Sequence, residues 1–139
     1  MIIIDTNVIS EPSRQNPDRR VIDWLDQQVR STLFLTSVSV AELYRGIALL
    51  PEGRRKSDLK SETDKLLETL FSTRVLSFDL AAAHIYAQVS SRAKLGGFEI
   101  SFADGQIASI ALTHGFAVAT RDVAPFQAAG VTVINPWEG

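Results

Sequence analysis

The chain has 139 residues, 45% hydrophobic and 22% charged, the size and balance of a single globular domain. Its net charge of −2 argues against coating nucleic acid through overall charge, though not against a local basic groove. It has no cysteine and only two histidines, His84 and His114, which excludes disulfides, thiolate metal sites, cysteine nucleophiles and three-histidine sites, so any metal would be held mainly by oxygen.

Residues 2–4 (III) form a short, fully apolar strand of the kind found in the middle of a parallel sheet. This apolar start lacks a basic flank and Asp5 interrupts it, so it does not read as a signal peptide. No stretch approaches the roughly 18 apolar residues of a membrane span, and a cytoplasmic location is expected. Asn16-Pro17 reads as an N-cap and first helical position, opening a helix from about Pro17 to Gln28. LFLT at 33–36 is the second strand. Ser39 and Glu42 have the spacing of a capping box and open a helix that stops near Pro51. Residues 53–71 read as an amphipathic helix with Leu59, Leu66, Leu67 and Leu70 on one stripe. The basic run RRKSDLK at 54–60 is then a solvated helix surface.

VLSF at 75–78 is the third strand. Asp79 caps a helix running to about Lys94, ended by Gly96-Gly97. Ser101 and Asp104 resemble a second capping box, whose helix closes at Gly115. AVAT at 117–120 is the fourth strand. A helical turn near Pro125–Ala128 leads to a fifth strand, VTVI at 131–134. Strands alternating with helices imply one α/β domain, a mostly parallel sheet of about five strands covered on both faces. Ligands bind such sheets at the carboxyl ends of the strands.

Of sixteen Asp and Glu residues, most sit in polar company, Glu11 and Asp18 among them. Asp5 and Asp122 directly follow strands one and four, and Glu42 and Asp104 lie in first turns of helices. If those helices begin at the same sheet edge, four carboxylates converge. Each has a simpler reading: Glu42 and Asp104 as capping-box partners, Asp5 as a turn residue with Asn7 making an Asx-type bond, Asp122 as a partner of Arg121. Jointly those readings weaken, because four converging carboxylates repel each other unless cations neutralise them, and an oxygen-only set suits Mg²⁺ or Mn²⁺. His114 is placed to stabilise a helix C-terminus, and His84 reads as a packing residue.

With these residues in view, the chain resembles the PIN-domain ribonucleases, specifically the VapC/FitB-type toxins of type II toxin–antitoxin pairs. The resemblance rests on MIIIDTNVISE at the start, TSVSVAEL and GIALLP within 36–51, ADGQIASIALTHG at 103–115, VATRD at 118–122 and NPW at 135–137. It spans nearly the whole chain and implies a PIN-like, Rossmann-like three-layer fold. It also implies a four-acid catalytic and metal site of Asp5, Glu42, Asp104 and Asp122, supported by Asn7 and Thr120. Similar proteins use Mg²⁺ or Mn²⁺ to cleave RNA, leaving 5′-phosphate and 3′-hydroxyl ends. The implied partners are an RNA substrate, a second copy of the chain in a homodimer, and a cognate antitoxin that threads a helix and an arginine into the toxin's groove and binds operator DNA. Arg45 and Arg121 are candidates to touch RNA phosphates, with surface ion pairing the favoured reading for both.

Two other classes compete. Haloacid-dehalogenase-type phosphatases also place an aspartate after strand one, but need a second acid two residues later, where this chain has Asn7. Receiver domains want an acid pair after strand one and a lysine after the last strand, and neither is evident. A non-catalytic partner-binding module is the remaining alternative, and metal-dependent cleavage separates it from a nuclease.

Overall fold

A computed structural model describes residues 1–138. Its centre is β1 (Ile2–Ile4), hydrogen-bonded in parallel to β2 (Leu33–Thr36) on one side and β4 (Ala117–Ala119) on the other. β3 (Val75–Leu76) and β5 (Val133–Ile134) complete a five-stranded, all-parallel sheet in the order β3-β2-β1-β4-β5. A strand flanked on both sides and covered on both faces exposes no edge to water, so three isoleucines in a row fit there.

The pleat divides these side chains between two cores. Ile3, Phe34 and Val118 face one way, into a cluster with Val89, Ile107, Ile110 and Phe126. Ile4, Leu35 and Ala119 face the other way, packing with Val8, Val21, Phe71 and Trp137. The first core is roofed by α5 (Leu80–Leu95), α6 (Phe102–His114) and α7 (Val123–Ala128). The second is closed by α1 (Thr6–Ile9), α2 (Arg19–Gln27) and α4 (Arg54–Thr69). α3 (Ser37–Ala48) springs directly from the end of β2. Ile3 and Ile4 are fully buried, each contributing roughly 1.5–3 kcal/mol by leaving water.

Several local expectations change. The cap of α2 is Asp18, whose carboxylate accepts from the Arg20 N–H at 2.9 Å, so the helix starts two residues later than Asn16-Pro17 suggests. The cap of α3 is Thr36, which accepts from the Ser39 N–H at 3.1 Å. Glu42 is therefore a turn further along and is not half of a capping box. The third and fifth strands are each two residues long. α1 and a 3₁₀ turn at Glu11–Ser13 follow β1 without a sequence signal strong enough to announce them. Asp79 and Ser101 cap α5 and α6 as expected, with Ala82 and Asp104 N–H groups donating at 3.0 and 3.1 Å. Gly115 ends α6 at φ 70°, a conformation that glycine adopts without a Cβ penalty. The 54–60 run is a helix surface, with Arg54 and Lys60 exposed and facing Asp58 and Asp64. His84 is exposed on α5, a correction to its reading as a packing residue.

Gly105 is the one helical position where close approach demands a glycine. A Cβ there would meet Cε2 of Tyr86 at 2.7 Å, and that ring is held between Phe78 (6.2 Å) and Phe102 (5.2 Å). Gly105→Ala gains about 1 kcal/mol of helix propensity but forces the aromatic group apart at about 1–3 kcal/mol. Denaturant unfolding is expected to show a net loss of about 1 kcal/mol. Unchanged or higher stability would mean that the ring yields freely.

Candidate active site

The strand order reverses between β1 and β4: from β1 the chain steps outward to β2 and β3, then returns to β4 on the other side. Crevices form at such switch points, outside the carboxyl ends of the strands. Asp5 stands there at the end of β1, and Thr120 and Asp122 at the end of β4. The two strand ends are tied by the Asp5 N–H, which donates to the Ala119 carbonyl at 3.0 Å.

Thr120 is the hub. Fully buried, it donates from Oγ1 to Asp5 Oδ2 at 2.8 Å. The same oxygen accepts from the Asp122 N–H at 3.0 Å and from Asn7 Nδ2 at 3.3 Å. Asn7 Oδ1 in turn accepts from the Arg121 N–H at 3.3 Å. Asn7 thus ties α1 to the turn after β4 and makes no local Asx bond. The other oxygen of Asp5 accepts from the Thr6 N–H at 2.9 Å, capping α1.

Glu42 projects from α3, solvent-exposed, and accepts from Thr6 Oγ1 at 3.0 Å. Asp104 is in the first turn of α6 and half-buried. Asp122 is exposed, and its side chain caps nothing. The electrostatics join the four. Burial pushes the Asp5 carboxyl up to about 6, opposed by its hydrogen bonds from Thr120 and Thr6 and reinforced by repulsion from Asp104 and Glu42. Asp104 is also raised, first by burial and further by Asp122, against the hydrogen bond of Ser101. Repulsion thus reaches from Asp5 to Asp104 and Glu42, and from Asp104 to Asp122.

Uncompensated, this arrangement is costly, and a cation would relieve it. The donors are all hard oxygens, matching Mg²⁺ or Mn²⁺. Among the described residues no group of three or more acidic, histidine or cysteine side chains lies close enough together to hold a metal ion.

Neither Arg45 nor Arg121 forms an ion pair among the described residues, although surface pairing was the favoured expectation for both. Arg45 is exposed on α3, and Arg121 lies over the Trp137 ring at 5.2 Å. Glu11, which its polar sequence neighbours make unremarkable, is only 2% exposed. It accepts from the Asp18 N–H and from Arg14 Nη1, both at 3.3 Å, tying the 3₁₀ turn to the start of α2. Thr6, the contact of Glu42, also carried no signal beyond its place in DTN.

Beside the acids runs a groove of about 660 Å³ between α1, α3 and α4, lined by Ile9, Leu43, Ile47, Leu59 and Leu66, with Thr6 and Glu42 also on its wall. It does not enclose the four carboxylates; of these only Glu42 borders it. Among the described residues no helix is long and apolar enough to cross a membrane.

Residues 2–131 match the sequence model of the PIN domain. The chain is 47% identical over 138 residues to VapC ribonuclease Y4jK of Sinorhizobium fredii, covering 99% of each. It is 48% identical over 137 residues to toxin FitB of Neisseria gonorrhoeae, again covering 99% of each. Among solved structures it superposes on a chain of the FitAcB crystal structure from Neisseria gonorrhoeae with a TM-score of 0.96 at 47% identity, over the full length of both.

Proposed function

The chain belongs to the PIN-domain family, and from that premise we propose that it is a divalent-metal-dependent endoribonuclease, the toxin of a type II toxin–antitoxin pair. The observation that carries the reading is the Asp5–Thr120–Asp122 network at the switch point, with Glu42 and Asp104 coupled to it. The names of the relatives, a VapC ribonuclease and a toxin, support it.

Asp5, Asp104, Asp122 and Glu42 are the residues that would hold Mg²⁺ or Mn²⁺. When bound, such an ion lowers the pKa of water and offsets the charge that develops on phosphoryl oxygens. The chain's own residues then have separable tasks. Thr120 and Thr6 fix both oxygens of Asp5, so the carboxylate cannot rotate away. Asn7 and Thr120 hold the backbone of Arg121 and Asp122. Thr6 restrains Glu42 against the end of β1. Four carboxylates alone would repel an RNA phosphate, so this set of residues makes cleavage depend on a cation.

The groove between α1, α3 and α4 has an apolar lining that suits one face of an amphipathic helix, the recognition mode expected of an antitoxin segment. An arginine on that segment would meet Glu42 at the groove wall and block the site. A homodimer, and assembly with the antitoxin on operator DNA, complete the proposal. Sedimentation of the isolated chain as a monomer at micromolar concentration would remove the dimer from it.

The test is to map RNA ends after brief expression, beside an Asp5→Asn control. New 5′-phosphate ends should appear with the wild-type chain, growth should stop, and the variant should do neither. In vitro, the partner-free protein should cut RNA in Mn²⁺, fall silent in EDTA and recover when Mn²⁺ is restored. Cleavage that persists in EDTA, or equal growth arrest by Asp5→Asn, would refute the reading.

A further inference from the structure

Arg121 occupies an unusual setting for a surface cation. Its backbone N–H is held by Asn7 Oδ1 at 3.3 Å, and its guanidinium lies over the Trp137 ring at 5.2 Å. The ring cannot drift, because Trp137 is 6% exposed and packs in the core beneath the sheet with Ile4, Val21 and Ala119. The closing sequence Asn135-Pro136-Trp137 builds that seat. The Asn135 side chain accepts from the Trp137 N–H at 3.0 Å, and Pro136 opens a 3₁₀ turn.

Among the described residues, Asp18 is the carboxylate that feels the charge of this cation. Asp18 is already gripped by Arg20, through Nε at 3.1 Å and Nη2 at 2.8 Å. Asp122 is the sequence neighbour of Arg121, yet among the described residues Arg121 forms no ion pair with it. An arginine held at its backbone and over a ring, with no ion pair among the described residues and one residue from Asp122, is prepared to accept an anion that arrives with the substrate.

Resting on the ribonuclease reading above, we propose that Arg121 binds an RNA phosphate flanking the cleavage point, and that Trp137 is the residue that positions it. A guanidinium held on an indole has already lost much of its rotational freedom, so less is lost when the phosphate docks. Trp137 itself touches no substrate and acts only through Arg121.

The experiment measures equilibrium binding of a labelled single-stranded oligoribonucleotide between about 50 and 200 mM KCl. The protein carries Asp5→Asn, so the RNA stays intact. Arg121→Gln is expected to weaken binding about tenfold at low salt. It should also reduce the slope of log K against log salt by about 0.7, one phosphate contact on a single strand. Arg121→Lys should keep the slope. Trp137→Leu should weaken binding about threefold and Trp137→Phe should restore most of it, since phenylalanine also offers a ring face. In an Arg121→Gln background, Trp137→Leu should have no further effect on binding.

An unchanged slope in Arg121→Gln overturns the proposal. So does a Trp137→Leu effect that is the same with and without Arg121, which would mark Trp137 as purely structural. Loss of antitoxin binding with RNA binding intact would assign Arg121 to the partner protein instead. If Trp137→Leu does not fold, Trp137→Phe and Arg121→Lys carry the test. Absence of RNA cleavage by the wild-type chain would defeat the ribonuclease reading by a separate readout, leaving this binding result to stand or fall alone.

Discussion

Replacing Asp5 by asparagine is expected to abolish RNA cleavage and, at the same time, to make the cation-free chain more stable at neutral pH. The first effect follows from removing the carboxylate at the end of the central strand. Losing several kcal/mol of cation-assisted catalysis lowers the rate by about a thousandfold or more. The second follows from linkage. The Asp5 pKa rises from 3.8 to about 6 on folding, so the folded state binds this proton more tightly than the unfolded chain. Stability from that proton is complete below about pH 4 and is lost as the pH rises to about 6. By pH 7 the charged carboxylate costs up to about 3 kcal/mol. Asparagine avoids the charge but fits the Thr120 hydroxyl less well, at about 1 kcal/mol. The net gain in EDTA is then about 1–2 kcal/mol at pH 7, read by denaturant unfolding, and it should vanish near pH 4. A variant less stable than wild type at pH 7 would show that burial of Asp5 carries no such penalty.

Thr120→Val should have the opposite effect on stability and a related effect on activity. Valine keeps the shape and loses the hydroxyl that links Asp5, Asn7 and Asp122. The Asp5 carboxylate loses a buried partner and the Asp122 N–H a part-buried one. A charge-assisted bond and a neutral one together amount to about 2–4 kcal/mol. Because the Thr120 bond also holds the Asp5 pKa down, its loss moves that pKa further up. Cleavage should fall about 10–100-fold, the usual effect of removing a group that orients a metal-binding side chain. Thr120→Ser should recover most of both. Retained activity in Thr120→Val would remove Thr120 from the site's support.

The parts of the fold legible in the sequence were those fixed by dense local signals. The apolar run Ile2–Ile4, the caps at Asp79 and Ser101, and the stop at Gly115 each declare an element through residue types with a direct physical reason. The misread elements had competing signals. Asn16-Pro17 and Asp18 are both good helix openers, and the turn held by Glu11 selects Asp18 by accepting its N–H. Ser39 and Glu42 match a capping box, but β2 ends at Thr36 and its hydroxyl reaches Ser39 first. The placement of Asp5 and Asp122 after strands and of Asp104 in the first turn of a helix was readable because strand ends and helix starts share one edge in a parallel sheet. The burial of Glu11 and the seat of Arg121 on Trp137 were not, since each depends on contacts between segments distant in sequence or on a turn that leaves no pattern.

If Asp5 and the acids that repel it are arranged for a cation, binding that cation must stabilise the folded chain. The most direct measurement is thermal unfolding at pH 7 with and without Mn²⁺, on the partner-free chain and its Asp5→Asn variant. An ion at a hundred times its dissociation constant stabilises the state it binds by about 2.7 kcal/mol. The wild-type melting temperature should therefore rise by several degrees with Mn²⁺ while the variant's stays nearly fixed. No rise in the wild type, or an equal rise in both, would contradict a cation site built around Asp5.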